Sequence, residues 1–229
     1  MNEELRQAQQ RQLERLAELE AQGESVGGWK LGQTSGESRD AFGPGVRPFG
    51  FILASRILED GAELSWSEVG NGGIENEVCF LIGSDITEPV DSQSVSAFLA
   101  GVAPGFEINQ RRIPKSSPDA ERIEDGLANW GIVVGPAREI PPDWQPDDMT
   151  INLCHEGERV ESVAAAGHID DHFETLARLA NQLIEHGRYL KAGDRAITGA
   201  FGKQNQPAPG RWTGNFGAEL GTVALQVSP

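Results

Sequence analysis

The stretch "GNGGIENEVCFLIG" (residues 70–83) decides how this chain is read. Its second half, 77–83, is an apolar run bounded by glycine and predicts a strand. At the mouth of that run stand two carboxylates, Glu75 and Glu77. Residues two apart in a strand share a face, so both acids lie side by side. Like charges at that range repel, and one takes up a proton unless a cation removes the conflict. Further on, "PGFEINQRRI" (104–113) offers Glu107 in a second strand-like run, with Phe106 and Ile108 facing the other way into apolar packing. An all-carboxylate set suits a hard divalent ion, Mg²⁺ or Mn²⁺, with positions left over for water and substrate. Spacing alone leaves the site open, because an E-x-E on the solvent face of a strand is commonplace and a third Glu is easily found. The preceding "GNGG" is either a loop that shapes a pocket or a tight turn.

Outward from this stretch the chain is rich in short strands. Apolar runs at 49–54, 131–135, 149–154, 159–165, 194–201 and 220–227 alternate with Gly and Pro. "MTINLCHEGERVESVA" (149–164) predicts a hairpin turning at Glu156-Gly157, with Ile151 and Leu153 inward. Residues 2–22 predict an amphipathic helix with Leu5, Leu13, Leu16 and Ala17 on one face, Asn2 as its cap and Gly23 at its end. A second helix is expected near 92–102. A third spans 170–187, with an Asp171/Glu174 capping box, a buried stripe of Phe173, Ala177, Ala180 and Ile184, and a stop at Gly187. "PPDWQPDD" (141–148) reads as a surface loop. Many strands and few helices without βαβ alternation give an α+β fold with a rolled or sandwiched β core. The division expected is an N-terminal helix and small α/β region, 1–60, and a β-rich core, 61–229.

Composition narrows the function. With 229 residues, 38% apolar content and 28 glycines, the chain is folded and turn-rich. No apolar stretch is long enough to span a membrane, and the charged N-terminus lacks the core of a signal peptide. Cys79 and Cys154 sit in predicted strands and read as buried thiols in a reducing compartment, so a cytoplasmic location is expected. A net charge of −16 argues against nucleic acid or an anionic membrane as partner. No nucleotide-binding or serine-nucleophile motif occurs.

Five segments in order carry a resemblance: "GGWKLGQTS" (27–35), "IENEVCFLIG" (74–83), "GFEINQRRI" (105–113), "LANWGIVVG" (127–135) and "LKAGDRAITGAF" (190–201). Together they resemble the 2-keto-4-pentenoate hydratase branch of the fumarylacetoacetate hydrolase superfamily, which also contains the 4-oxalocrotonate decarboxylases. The resemblance implies a mixed-strand β-roll with a small N-terminal helical region, usually in a homo-oligomer. It implies Glu75, Glu77 and Glu107 as ligands of Mg²⁺ or Mn²⁺, and Lys30 as the active-site lysine. The implied activity is that of a divalent-metal-dependent lyase, hydratase-like or decarboxylase-like, on a short 2-oxo acid or its dienol. Both reactions pass through an enolate that a Lewis acid stabilises.

Around this set lie candidates for substrate binding. Arg112 either clamps a distal carboxylate or pairs with a surface acid. Asn129 either bonds substrate or caps a turn. Trp130 either lines the pocket or packs into the core. The chain also departs from the family. Gln110 replaces the acid of E-I-x-D-S-R; Leu127-Ala128-Asn129-Trp130-Gly131 stands in place of A-D-N-A-S, losing an acid and a serine and gaining a Trp; and Pro48-Phe49-Gly50 lacks the acid of P-D-F-G. Groups for proton transfer and water positioning are thereby lost, which leaves two alternatives open: an enzyme of related enolate chemistry, such as a tautomerase or cyclase with a remodelled pocket, or a non-catalytic binding or assembly homologue. No histidine precedes His155, which excludes the His–Glu pair of the superfamily's C–C hydrolases. Of His155, His168, His172 and His186, only His168 has a claim to a pocket.

Overall fold

The computed structural model describes residues 1–140, 144 and 146–229. In chain order the elements are α1 (Glu3–Ala21), β1 (Val26–Leu31), β2 (Phe49–Leu53), β3 (Ile57–Glu59), β4 (Ala62–Ser65), α2 (Trp66–Val69), β5 (Gly73–Ile82) and β6 (Leu99–Asn109). They continue with α3 (Asp119–Glu124), β7 (Asn129–Val134), β8 (Thr150–His155), β9 (Glu158–Ala164), α4 (His172–Glu185), β10 (Arg195–Asn205), β11 (Gly210–Asn215), α5 (Gly217–Leu220) and β12 (Thr222–Ser228). No described helix is long and apolar enough to cross a membrane.

The strands form two mixed sheets. One has seven strands in the order β2-β1-β10-β5-β6-β7-β3; the other has five, β4-β12-β11-β8-β9. This is the α+β, two-sheet architecture expected from the many short strands. The centre of the larger sheet is the long antiparallel ladder of β5 on β6, from Gly73↔Asn109 to Ile82↔Leu99. β1, β2 and β3, all before residue 60, belong to this same sheet.

Strand alternation divides β5 cleanly. Ile74, Val78 and Phe80 join Phe106, Ile108, Phe201, Phe216 and the apolar residues of β8, β11 and β12 in the main core between the sheets. Cys79 faces the other side, where it packs with Ile52, Ala103, Ile132 and Ile197 in a smaller cluster. Glu75 and Glu77 alternate in phase with Cys79 and so lie on this second face.

Several helices differ in detail from expectation. α1 is capped by Asn2, whose Oδ1 accepts from Leu5 N. Leu5, Leu13 and Leu16 are buried, but Ala17 is exposed, and Ala8, Gln9 and Gln12 complete the inner face. The two glutamines are satisfied there by the Phe49 and Ile123 carbonyls, so the buried face tolerates amides. In α4 the Asp171 side chain accepts from Glu174 N at 2.7 Å. Leu176, Ala177, Leu179, Ala180 and Leu183 form its buried face, while Phe173 and Ile184 are only half-buried at its border.

The helix expected near 92–102 is not formed. Val95–Phe98 make a short 3₁₀ turn and Leu99 begins β6. Gly101, Val102 and Pro104 favour extended backbone, and a Cβ at Gly101 would fall 2.5 Å from the Arg138 carbonyl oxygen that the strand approaches. The predicted hairpin closes at Glu156-Gly157, both at positive φ, as a primed turn demands. Ile151 and Leu153 point inward and are 1% exposed. Of the "PPDWQPDD" loop, residues 141–143 and 145 lie outside the described residues; Trp144 is buried and Pro146–Asp148 form a 3₁₀ turn.

Candidate metal centre

The second face of the larger sheet opens into a cavity of about 840 Å³. Lys30, Glu75, Glu77 and Glu107 all line it, together with the 32–38 segment after β1, the 109–115 segment after β6, part of β9, and the Gly199–Gln204 portion of β10. Glu75 sits directly opposite Glu107 in the ladder, and Glu77 lies two residues along on the same face. Glu77 and Glu107 are each 2% exposed, so these are buried acids and not a solvated strand face.

Each carboxylate is held by its own donor. The Lys30 ammonium contacts Glu107 Oε1, and Asn129 Nδ2 donates to the same oxygen at 2.8 Å. Asn109 Nδ2 donates to Glu75 Oε2 at 2.6 Å. The Gly199 N–H donates to Glu77 Oε2 at 2.7 Å. That last bond depends on a bulge in β10: the register against β5 slips between Ile197 and Ala200. Gly199 takes φ +135°, and a Cβ there would lie 2.1 Å from Thr34 Oγ1, so only glycine fits. Thr34 Oγ1 in turn donates to the Thr198 carbonyl, and Thr198 Oγ1 meets the Nδ1 of buried His172 at 2.7 Å.

The electrostatics show what the set lacks. Burial, reinforced by the nearby Glu107, pushes Glu75 up to about 7, although Lys30 and the Asn109 amide pull against this. Burial and Glu107 likewise hold Glu77 well above the usual carboxylate range, against Lys30 and the Gly199 N–H. Burial alone would strip the charge from Lys30, but Glu107, Glu77 and Glu75 together keep its ammonium above its ordinary value. Two buried carboxylates and the half-buried Glu75 thus face one buried cation. A divalent ion supplies the two charges that are missing, and its all-oxygen donor set is the one a hard ion prefers. Among the described residues, no three acidic, imidazole or thiol groups converge closely enough to grip an ion as they stand. To hold one, the three side chains must draw together, with Glu107 Oε2 free of the Lys30 and Asn129 contacts that both fall on Oε1.

The remaining sequence candidates fall at different distances from this centre. Asn129 reaches it through Glu107. Arg112 does not line the cavity: its Nε donates to Asp125 Oδ1 at 2.8 Å and its Nη1 to the Asn129 carbonyl at 2.9 Å. It braces the strand that carries Asn129. Trp130 also lies off the cavity, packed into the core beneath the Arg56 guanidinium at 4.3 Å from the ring centroid. Gln110 turns outward to the Glu68 carbonyl. His168 does line the cavity, with Nε2 accepting from the Gly202 N–H at 3.0 Å. Asn109 and Gly199 were not singled out from the sequence. Asn109 lies two residues beyond Glu107, on the same face of the strand, and Gly199 sits in the "TGA" of the closing motif; both signals were there to be used.

No family model matches the chain. It is 28% identical to 2-hydroxyhexa-2,4-dienoate hydratase of Comamonas testosteroni over 213 residues, covering 91% of this chain and 81% of that one. It is 26% identical to 2-oxo-hept-4-ene-1,7-dioate hydratase of Escherichia coli, covering 89% and 78%. In structure it is similar to 4-oxalocrotonate decarboxylase from Pseudomonas putida G7, solved with magnesium and adipate, at a TM-score of 0.87 and 23% identity over 97% of this chain and 86% of the other. Fumarylpyruvate hydrolase from Pseudomonas aeruginosa, solved with Mn²⁺ and pyruvate, aligns at 0.67 and 18% over 87% and 88%. In sequence the chain is thus similar to 2-keto-4-pentenoate hydratases and 4-oxalocrotonate decarboxylases, and it shares its fold with these solved structures.

Proposed function

We propose that this protein is a divalent-metal-dependent lyase, hydratase-like or decarboxylase-like, acting on a short 2-oxo acid or its dienol. The observation that carries the reading is the surplus of acid at one place: three carboxylates, two of them buried, lining one cavity against a single buried lysine. Glu75, Glu77 and Glu107 hold Mg²⁺ or Mn²⁺, and the relatives' metal complexes support that choice. When bound, the ion supplies Lewis acidity toward the 2-oxo oxygen of the substrate.

The chain's own residues do the rest. Asn109, Asn129 and the Gly199 N–H each fix the orientation of one carboxylate. Lys30, released from Glu107, presents a fixed ammonium to the negative charge that develops on the substrate's oxygen. The seven-stranded sheet forms a rigid floor, and the burial of Glu77 and Glu107 keeps water from screening the charges. A cytoplasmic setting and assembly into a homo-oligomer belong to the same proposal.

A second reading is favoured by one observation. Gln110, Ala128 and Gly131 stand where the family carries two acids and a serine; Gln110 turns away to the Glu68 carbonyl, and Ala128, which lines the cavity, offers no polar group. An enzyme of related enolate chemistry, such as a tautomerase, needs fewer such groups. The test is incubation with Mg²⁺ and either 2-hydroxypenta-2,4-dienoate or 4-oxalocrotonate while following loss of conjugated absorbance. Turnover that is abolished by chelator and by Glu77→Ala supports the lyase. Metal-dependent exchange of the methyl protons of pyruvate without turnover of either dienol supports the second reading. Failure of pyruvate or oxalate to bind in the presence of Mg²⁺ overturns both and leaves a binding or assembly role.

A further inference from the structure

β10 leaves the register of β5 twice. The first slip, between Ile197 and Ala200, turns the Gly199 N–H to Glu77; the second lies between Phe201 and Asn205. Phe201 pairs with Asn76 and points into the main core, so Gly202 comes level with Glu75 on the cavity side. Adjacent strands run about 4.8 Å apart, so whatever rests on Gly202 lies beside the proposed metal centre. Two side chains from outside the larger sheet rest there. His168 Nε2 accepts from the Gly202 N–H at 3.0 Å. Glu161 of β9 accepts from the Lys203 N–H at 3.1 Å through Oε1 and from Asn205 Nδ2 at 2.8 Å through Oε2. Gly202 has φ +106°, and a Cβ there would fall 2.4 Å from Glu161 Oε2, so glycine is what lets the carboxylate come down onto the strand.

These bonds fix what each group has left to offer. A backbone N–H only donates, so His168 Nε2 turns its lone pair to Gly202 and the neutral ring carries its proton on Nδ1. Among the described residues Nδ1 has no partner, and it is not buried. The ring packs beside Gly36, where a Cβ would lie 3.4 Å from Cε1, and the His168 carbonyl accepts from the Gly36 N–H at 3.0 Å. His168 thus presents a fixed N–H donor at the cavity wall. Glu161 accepts one bond at each oxygen, both from neutral donors among the described residues, and a carboxylate oxygen can accept two. The other acids of the wall lack this combination. Glu37 is exposed on the 3₁₀ turn Gly36–Ser38, and Asp125 is paired with Arg112. A donor and an acceptor gathered on one glycine are what an ordered water needs.

We propose that Glu161 and His168 are the water-activating pair of this site, taking over from the acids and the serine that are missing at Gln110, Ala128 and Gly131. The assignment rests on the lyase reading and selects its hydratase branch. His168 Nδ1–H holds the water oxygen, and Glu161 accepts one of the water's protons. As that proton passes to Glu161, the water oxygen bonds to the alkene carbon remote from the 2-oxo group of a 2-oxo-3-enoic acid. The electron pair of the C=C moves through to the 2-oxo oxygen and gives the enolate. Protonated Glu161 then returns its proton to carbon 3, the ketone re-forms and the carboxylate is regenerated, so one water is added and nothing else is consumed. Glu161 is the catalytic base, and His168 is a positioning residue for the water.

The substrate 2-oxopent-3-enoate tests the pair, because it enters after tautomerisation and needs only the addition of water. Loss of its enone absorbance is followed with the Mg²⁺-loaded protein. Glu161→Gln keeps the size of the side chain and an acceptor for the Lys203 N–H. Its kcat is expected to fall by about a hundredfold, while KM and the calorimetric Mg²⁺ affinity stay within about twofold. His168→Leu should lose about tenfold, and His168→Gln, which retains an acceptor for Gly202 and a donor for water, should recover most of that loss. Activity of Glu161→Gln within about threefold of the wild type overturns the pair. So does a loss matched by weaker Mg²⁺ binding, which would make Glu161 a brace for β10. Equal losses in the two His168 variants remove His168 from it. Decarboxylation of 4-oxalocrotonate without addition of water to the enone overturns the pair and leaves the lyase reading standing. Turnover of neither substrate in the presence of Mg²⁺ overturns the lyase reading beneath it.

Discussion

Lys30 and the proposed ion both call on Glu107. The lysine's ammonium is the only buried cation touching the acidic trio among the described residues, and it sits on Glu107, one of the three proposed ligands. Removing it should therefore separate binding from catalysis. In Lys30→Met, Mg²⁺ is expected to bind about tenfold more tightly at pH 8, where protons compete less for the carboxylates. Turnover should fall by about a hundredfold or more, because the charge facing the substrate's oxygen is gone. Calorimetry and dienol absorbance measure the two effects. Weaker Mg²⁺ binding in the variant would show that Lys30 organises the trio and does not compete for it. The proximity of Glu75 and Glu77 was legible from strand alternation, and the lysine from its flanking motif. The amide and N–H that orient each carboxylate were harder to see, because such partners are set by register across strands and not by spacing along one.

His172 gives a second prediction at this scale. Burial holds its imidazole down at about 4, so it stays neutral in the fold, with Nδ1 on Thr198 Oγ1. An unfolded chain takes up that proton near the ordinary histidine value of about 6.5. Between those two values the unfolded state binds more protons, so stability is lost as pH falls from about 6.5 toward 4. The loss reaches about 3 kcal/mol below the lower value. Urea midpoints at pH 7 and pH 4.5 should show this fall, and His172→Phe should flatten it. An identical pH slope in that variant would assign the effect to the carboxylates instead.

At the scale of elements, the bulge in β10 connects fold to site. It turns the Gly199 N–H toward Glu77, and His172 and Thr34 secure the residue before it. Gly199→Ala must force a Cβ into Thr34 Oγ1 while holding a positive φ, a strain of about 1–3 kcal/mol. The expected outcome is a lowered melting temperature together with weaker Mg²⁺ binding. Asp171→Ala, which removes only the cap of α4, should cost about 1 kcal/mol and leave metal affinity alone. Equal loss of metal affinity in both variants would mean that general destabilisation, and not the bulge, governs the site. Elements with local signals were read well: α1, α4 and the β8–β9 hairpin each announce themselves by caps or turn residues. β6 was not read as a strand from Leu99 because its start, "LAGVAPGF", has no alternation. Both its faces are buried between neighbours, so its identity comes from β5 and β7, which no local window contains.

The proposed metal site lies within a molecule that is itself strongly negative, and this complicates the simplest experiment. A site that binds the folded state alone stabilises it by about 2.7 kcal/mol when Mg²⁺ is a hundred times its dissociation constant. For a domain of this size, that corresponds to a rise of roughly 5–11 °C in the melting temperature. A net charge of −16 predicts that any divalent cation also raises stability by relieving self-repulsion across the surface. The two contributions separate through Glu77→Gln. That variant changes the net charge by one and keeps nearly all of the diffuse relief, but removes a buried ligand. The wild type should therefore gain several degrees more from Mg²⁺ than Glu77→Gln does, at matched ionic strength, and the difference should saturate with metal concentration. NaCl at the same ionic strength should give both proteins the same small rise. If Mg²⁺ shifts the two equally and without saturation, the stabilisation is diffuse, and the buried trio is an internal charge cluster neutralised by Lys30 and protons alone.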